Sequence, residues 1–249
     1  MQDRIQSYLR FAASQHRNTE RIGPFLATFN CHSANPFLNY AIPDDAATPS
    51  LTDVTALIAA YKGRDRQPRL EYVTNLAPAV EAVLIAAGFT VEGRLPLMTC
   101  TPGLEQCLPV PPDIELIVPV SDAEILATVT VQNEAYGEAA PSTADIDRLR
   151  NTLAAGGLAV LARVAATGEP VGGGMCSVPA NQTTEIAGIG VRVPFRRRGI
   201  AGALTTRLTR EVFNAGVTLA FLMAAHAAES RIYARAGFCA ISEILHISL

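Results

Sequence analysis

Residues Glu185 to Asn214, EIAGIGVRVPFRRRGIAGALTTRLTREVFN, read as one mechanical unit. Ile186, Ile189, Val191 and Val193 with small residues between them suit a strand buried on at least one face, and Gly188 and Gly190 mark a bulge or a close backbone approach. Pro194 should stop the strand. Phe195 and the run Arg196-Arg197-Arg198-Gly199-Ile200-Ala201 follow, and then Leu204, Leu208 and Val212 fall at helical spacing. A turn that opens a helix carries unpaired N–H groups at the positive end of the helix dipole, which makes it an anion site. Small residues at Gly199 and Ala201 let a phosphate approach those amides, and three guanidiniums add charge-assisted bonds. The expectation is a diphosphate cradle at Arg196–Ala201.

The dinucleotide fingerprint needs three spaced glycines and the triphosphate loop a Gly-Lys-Ser/Thr ending, and this turn has neither. The pattern Arg196-x-x-Gly199-x-Ala201 resembles the signature of the GCN5-related N-acetyltransferases. Ser230-Arg-Ile-Tyr-Ala-Arg-Ala-Gly-Phe238 resembles the Tyr-x-x-x-Gly-Phe close of the same fold. The resemblance covers about residues 113–249 and implies a mixed α/β acyl-CoA N-acyltransferase fold.

The chain has 249 residues, 49% of them hydrophobic and 17% charged, which is ample for one large domain or two small ones. A net charge of -3 argues against a nucleic-acid binder, since positive charge is concentrated at Arg196–Arg198. Five dispersed cysteines without a Cys-x-x-Cys pair suggest neither a disulfide framework nor a metal site. With no signal-like or membrane-length apolar run, the expectation is a cytoplasmic protein.

Along the chain, residues 1–18 predict an amphipathic helix, Pro24–Phe29 and Phe37–Ile42 short strands, Ser50 the cap of a helix, Arg69–Val73 a strand, Pro78–Ala87 a helix and Val91–Cys100 a strand. Prolines crowd the next segment, so the division expected is 1–105, a linker at 106–112 and a second domain at 113–249. The second half reads strand, two helices, three strands, helix, strand, helix, strand. Gly88-Phe89 echoes Gly237-Phe238, each a helix stopped by Gly-Phe and followed by a strand, which makes the first half a degenerate second copy. That copy has Leu84 where Tyr233 stands and no Arg-x-x-Gly-x-Ala.

The resemblance implies transfer of an acetyl or other short acyl group from acetyl-coenzyme A to a primary amine on a small molecule or peptide, by direct attack and without a metal. Backbone around Ile189, Gly190 and Val191 would pair with the pantetheine arm. Tyr233 matches the family's general acid, and a phenol, protonated at neutral pH, can donate to the departing thiolate. Glu185 sits where some members carry a carboxylate base, and His226 is a second candidate relay. On fold analogy, the loop Gly137–Pro141 and the helix Thr143–Leu153 would wall the acceptor, and a homodimer is possible. The rival class is a catalytically weak or inactive module that binds coenzyme A or a partner without turnover.

Overall fold

The computed structural model describes residues 1–15 and 17–249. They form two compact units, Met1–Leu97 with Ile241–Leu249, and Met98–Ala240. The division falls inside two strands rather than in the proline-rich segment, and the last strand, assigned from the sequence to the second half, belongs mostly to the first unit.

The first unit begins with α1 (Gln2–Ser14), whose Ile5, Leu9 and Ala13 are buried as the spacing predicts. A hairpin follows, β1 (Asn18–Ile22) and β2 (Phe25–Phe29). The polar Asn-Thr-Glu-Arg-Ile stretch is an exposed edge strand with one buried residue, so periodicity gave no sign of it. Phe37 lies in a short 3-10 turn, Pro36–Leu38, whose first N–H is capped by the Asn35 side chain; only Ala41–Pro43 is strand, β3. Next come α2 (Leu51–Lys62), β4 (Arg69–Val73), α3 (Val80–Ala86) and β5 (Thr90–Cys100). β3 and β4 are parallel.

Arg69 is fully buried and pairs with Glu71 and with Glu92 at 2.9 Å beneath the Phe37 ring. His246, opposite Glu71 on the closing strand, sits 3.9 Å from its carboxylate. Burial, the largest influence, pulls the imidazole pKa below its ordinary value despite Glu71. The unfolded chain therefore takes up this proton first, near pH 6.5. Stability present above that pH falls as the solution is acidified toward the folded-state pKa. His246→Gln should flatten the fall in melting temperature between about pH 7 and 5.5. An unaltered slope would remove His246 from the explanation.

The second unit contains β6 (Ile114–Ile117), α4 (Asp122–Tyr136), α5 (Thr143–Ala154), β7 (Leu158–Val164), β8 (Pro170–Cys176), β9 (Thr183–Val191), α6 (Ile200–Asn214), β10 (Leu219–Met223) and α7 (Ala227–Arg235). The chain closes with β11 (Cys239–Ser248). Serine capping boxes open α4 and α5, with Ser121 paired to Glu124 and Ser142 to Asp145. The strands lie in the order β10-β9-β8-β7-β6, with β9 and β10 parallel and the rest antiparallel. α6 buries Leu204, Leu208 and Val212 against Val160, Ile186, Leu222 and Phe238. On the other face, Ile125 and Val129 of α4 meet Leu149 of α5 and Ala159 of β7.

The first half of the chain repeats the local order of the second half, β3-α2-β4-α3-β5 against β9-α6-β10-α7-β11. Both Gly-Phe stops close their helices alike. Gly88 and Gly237 have φ +93° and +99°, and Phe89 and Phe238 donate N–H bonds to the carbonyls of Leu84 and Tyr233.

Candidate functional site

Two features of β9 open a cleft. Its register with β10 runs from Thr183↔Leu219 to Glu185↔Phe221 and ends there, although β9 continues to Val191. Against β8, Gly190 faces Gly173 and Ala187 faces Met175, so Gly174 alone opposes both Gly188 and Ile189. That is a β-bulge, and Gly188 takes φ +63° within it. Gly190 serves the other purpose expected, close approach, because a Cβ there would lie 2.8 Å from Ala135 of α4. Two side chains of α4 bond the bulged strand: Gln132 Nε2 donates to the Gly188 carbonyl at 2.8 Å and the Tyr136 hydroxyl to that of Ile189 at 3.3 Å.

After β9 the backbone turns through Arg197 at φ +61° and Gly199 at φ +91° into α6. Nothing lies within 4 Å of a Cβ built on Gly199, so the left-handed conformation, not space, calls for glycine there. No side chain caps α6. The first helical bond of this turn is Ala203 N–H to Gly199 O at 3.0 Å, which leaves the amides before it directed outward.

The three arginines divide their work. Arg196 donates from Nε to Val191 O at 2.9 Å and from Nη2 to Ala135 O at 3.0 Å, fastening the end of β9 to the end of α4. Arg198 pairs with Asp113 at 2.6 Å beside the Phe195 ring, and its guanidinium holds the Asp113 carboxyl below the ordinary carboxylate pKa. Arg197 is exposed and, among the described residues, has no carboxylate partner.

The turn forms one wall of a cavity of about 1040 Å³. Ile189, Gly190, Val191, Arg196, Arg197, Arg198, Gly199, Ile200 and Ala201 all line it, together with Tyr233, so the structure brings these residues together. Residues 106–112, read from the sequence as a linker, are held on α6 and supply another wall through Leu108–Pro112. Leu108 N–H donates to Thr206 Oγ1 at 3.4 Å, Thr206 Oγ1 donates to Gln106 O at 3.0 Å, and Gln106 N–H bonds Ala236 O at 3.0 Å.

Tyr233 is 7% exposed. Burial, then the Glu229 charge and Tyr136, push its phenol above the ordinary tyrosine range, so it holds its proton at neutral pH. His226 caps α7 and also lines the cavity. Glu185 is half-buried at the last β9–β10 pair and is not among the lining residues. On the α4 side the lining reaches Tyr136 and stops short of 137–153. Sequence reasoning passed over Asp113, Tyr136 and Glu229. Only Glu229 left a signal, its placement one helical turn before Tyr233. Among the described residues no group of three or more His, Cys, Asp or Glu side chains could hold a metal ion, and no helix is long and apolar enough to cross a membrane.

Residues 125–238 match the model of the acetyltransferase (GNAT) family. The fold is similar to a GCN5-related N-acetyltransferase from Kribbella flavida, with a TM-score of 0.83 and 26% identity over 100% of this chain and 95% of that one. A GCN5-related N-acetyltransferase from Sphaerobacter thermophilus (TM-score 0.70, 18% identity, 90% and 76% covered) shares the fold. So does a tandem GNAT protein from the clavulanic acid biosynthesis pathway (TM-score 0.66, 13% identity, 90% and 78% covered). No curated protein matches the chain in sequence. Residues 125–238 are therefore a GNAT acetyltransferase domain, and the general chemistry of that family is acyl transfer.

Proposed function

We propose that the second unit transfers an acetyl or short acyl group from its coenzyme A thioester to a primary amine. The observation that carries this reading is the uncapped start of α6, behind the left-handed Arg197 and Gly199, at the wall of a cavity that also holds a buried, protonated tyrosine. The amides of Arg197–Ala201 would take the diphosphate, and Arg197 would meet it without first leaving a carboxylate. The backbone of Ile189–Val191, parted from β10, would pair with the pantetheine amides once Tyr136 releases the Ile189 carbonyl. Positioning of the thioester beside the amine supplies most of the rate, and Tyr233 hands its proton to the departing sulfur.

The first unit reads as a degenerate copy that acts as scaffold. Its counterpart to α6 is closed: Ser50 and Asp53 cap α2 in a reciprocal box, and two carboxylates, Asp44 and Asp45, stand in the preceding turn where the second unit has arginines. A phosphate would meet like charge and occupied amides there.

Titration calorimetry with acetyl-coenzyme A, free coenzyme A and ATP tests the donor site. Micromolar binding of both coenzyme A species and weaker binding of ATP is the expected result, and binding no better than ATP would end the acyltransferase reading. Arg198→Glu should weaken donor affinity about tenfold, and Arg197→Glu more, because Arg198 is already shared with Asp113. Unchanged affinity in both variants would remove the turn from the donor site.

A further inference from the structure

We propose that the Glu229 carboxylate, set beside His226 at the start of α7, is where the acceptor's ammonium docks and gives up its proton. The inference rests on the acyltransferase reading. Among the described residues lining the cavity, Glu229 is the only carboxylate, facing guanidiniums at Arg196, Arg197, Arg198 and Arg235. It is oriented: Oε2 accepts the Ala225 N–H at 2.8 Å, and Oε1 stands 3.7 Å from His226 Nε2. Glu229 and Tyr233 are four residues apart on α7 and so share one helix face. Tyr136 approaches from the end of α4, with Glu138 just beyond it. The phenols of both Tyr136 and Tyr233 feel the Glu229 charge, which places the three groups in one neighbourhood. Glu185, by contrast, is outside the lining.

The proton balance closes with these groups. The ammonium loses one proton to Glu229, and it passes to His226, whose side chain is 64% exposed, and on to solvent. The freed nitrogen lone pair attacks the thioester carbonyl, the C–S bond breaks, and sulfur leaves with the bonding pair and takes the Tyr233 proton. The remaining excess proton on nitrogen restores the phenol. One amide, one thiol and one released proton result. The acceptor class is an aliphatic amine that arrives protonated, matched to the single negative charge in an otherwise cationic cavity.

The experiment uses the full chain with Glu229→Gln, His226→Asn and Glu185→Gln variants. Donor affinity comes from calorimetry, and thiol release is followed from about pH 5.5 to 9.5 with acetyl-coenzyme A and a panel of primary alkylamines and diamines. Gln and Asn keep an oxygen for the α7 cap, so donor binding at wild-type affinity also reports an intact fold. Glu229→Gln should lower kcat/KM for the amines about 100-fold at unchanged donor affinity, and His226→Asn should lower it by a smaller factor, because the proton's first acceptor stays while its exit is lost. Wild-type kcat/KM in Glu229→Gln, a comparable loss in Glu185→Gln alone, or donor binding with no turnover of any amine would each overturn the proposal. Failure of the wild type to bind acetyl-coenzyme A would instead defeat the donor reading beneath it.

Discussion

Tyr233→Phe should lower kcat about 100-fold or more while the dissociation constant for acetyl-coenzyme A stays at the wild-type value. The substitution removes one oxygen and keeps the ring that packs among Ala224, Ala236 and Phe238, so melting temperature should hardly move. What is lost is a proton held in readiness. A phenol raised by burial and by the Glu229 carboxylate remains protonated across the working range, and phenylalanine leaves the thiolate to be protonated by water. Single-turnover thiol release separates this from slow product release. A wild-type rate for the chemical step would show that another group supplies the proton.

The second large effect concerns stability. Gly237→Ala should destabilise the second unit by about 2–5 kcal/mol, because two penalties combine there. The position has φ +99°, and an added Cβ would lie 2.2 Å from the Leu104 carbonyl oxygen and 2.9 Å from the Glu105 Cα. Both obstacles are backbone, so relief requires moving the strand-to-wall segment. That segment continues into Leu108–Pro112, so donor affinity should fall with stability. Gly103→Ala is the matched control: φ is +89° but nothing lies within 4 Å of the new methyl, so only the conformational strain remains. Denaturant unfolding of both variants measures the difference, and equal losses would show that the contact with Leu104 is unimportant.

Local physics made much of this molecule readable from its residues. The Ser121 and Ser142 boxes, the helical spacing of Leu204, Leu208 and Val212, and the Gly-Phe stops are nearest-neighbour effects, so each element was predicted close to where it lies. The turn from β9 into α6 was legible for the same reason: a strand end, a left-handed glycine and a helix start are contiguous in the chain. What the residues did not announce is their tertiary partners: Arg196 donates to the carbonyls of Val191 and of Ala135, and Arg198 pairs with Asp113, 85 residues away. Polar β1 is a strand only because β2 lies beside it.

The sequence by itself determined most of the elements, their order in the second half, and the left-handed turn into α6, because helix periodicity, capping and left-handed glycine are set within a few residues. Only the tertiary structure decided which strands share a unit, that the proline-rich segment is a cavity wall, and which carboxylate enters the cavity. Each of these depends on long-range hydrogen bonds such as Thr206 to Gln106, whose partners no local pattern names.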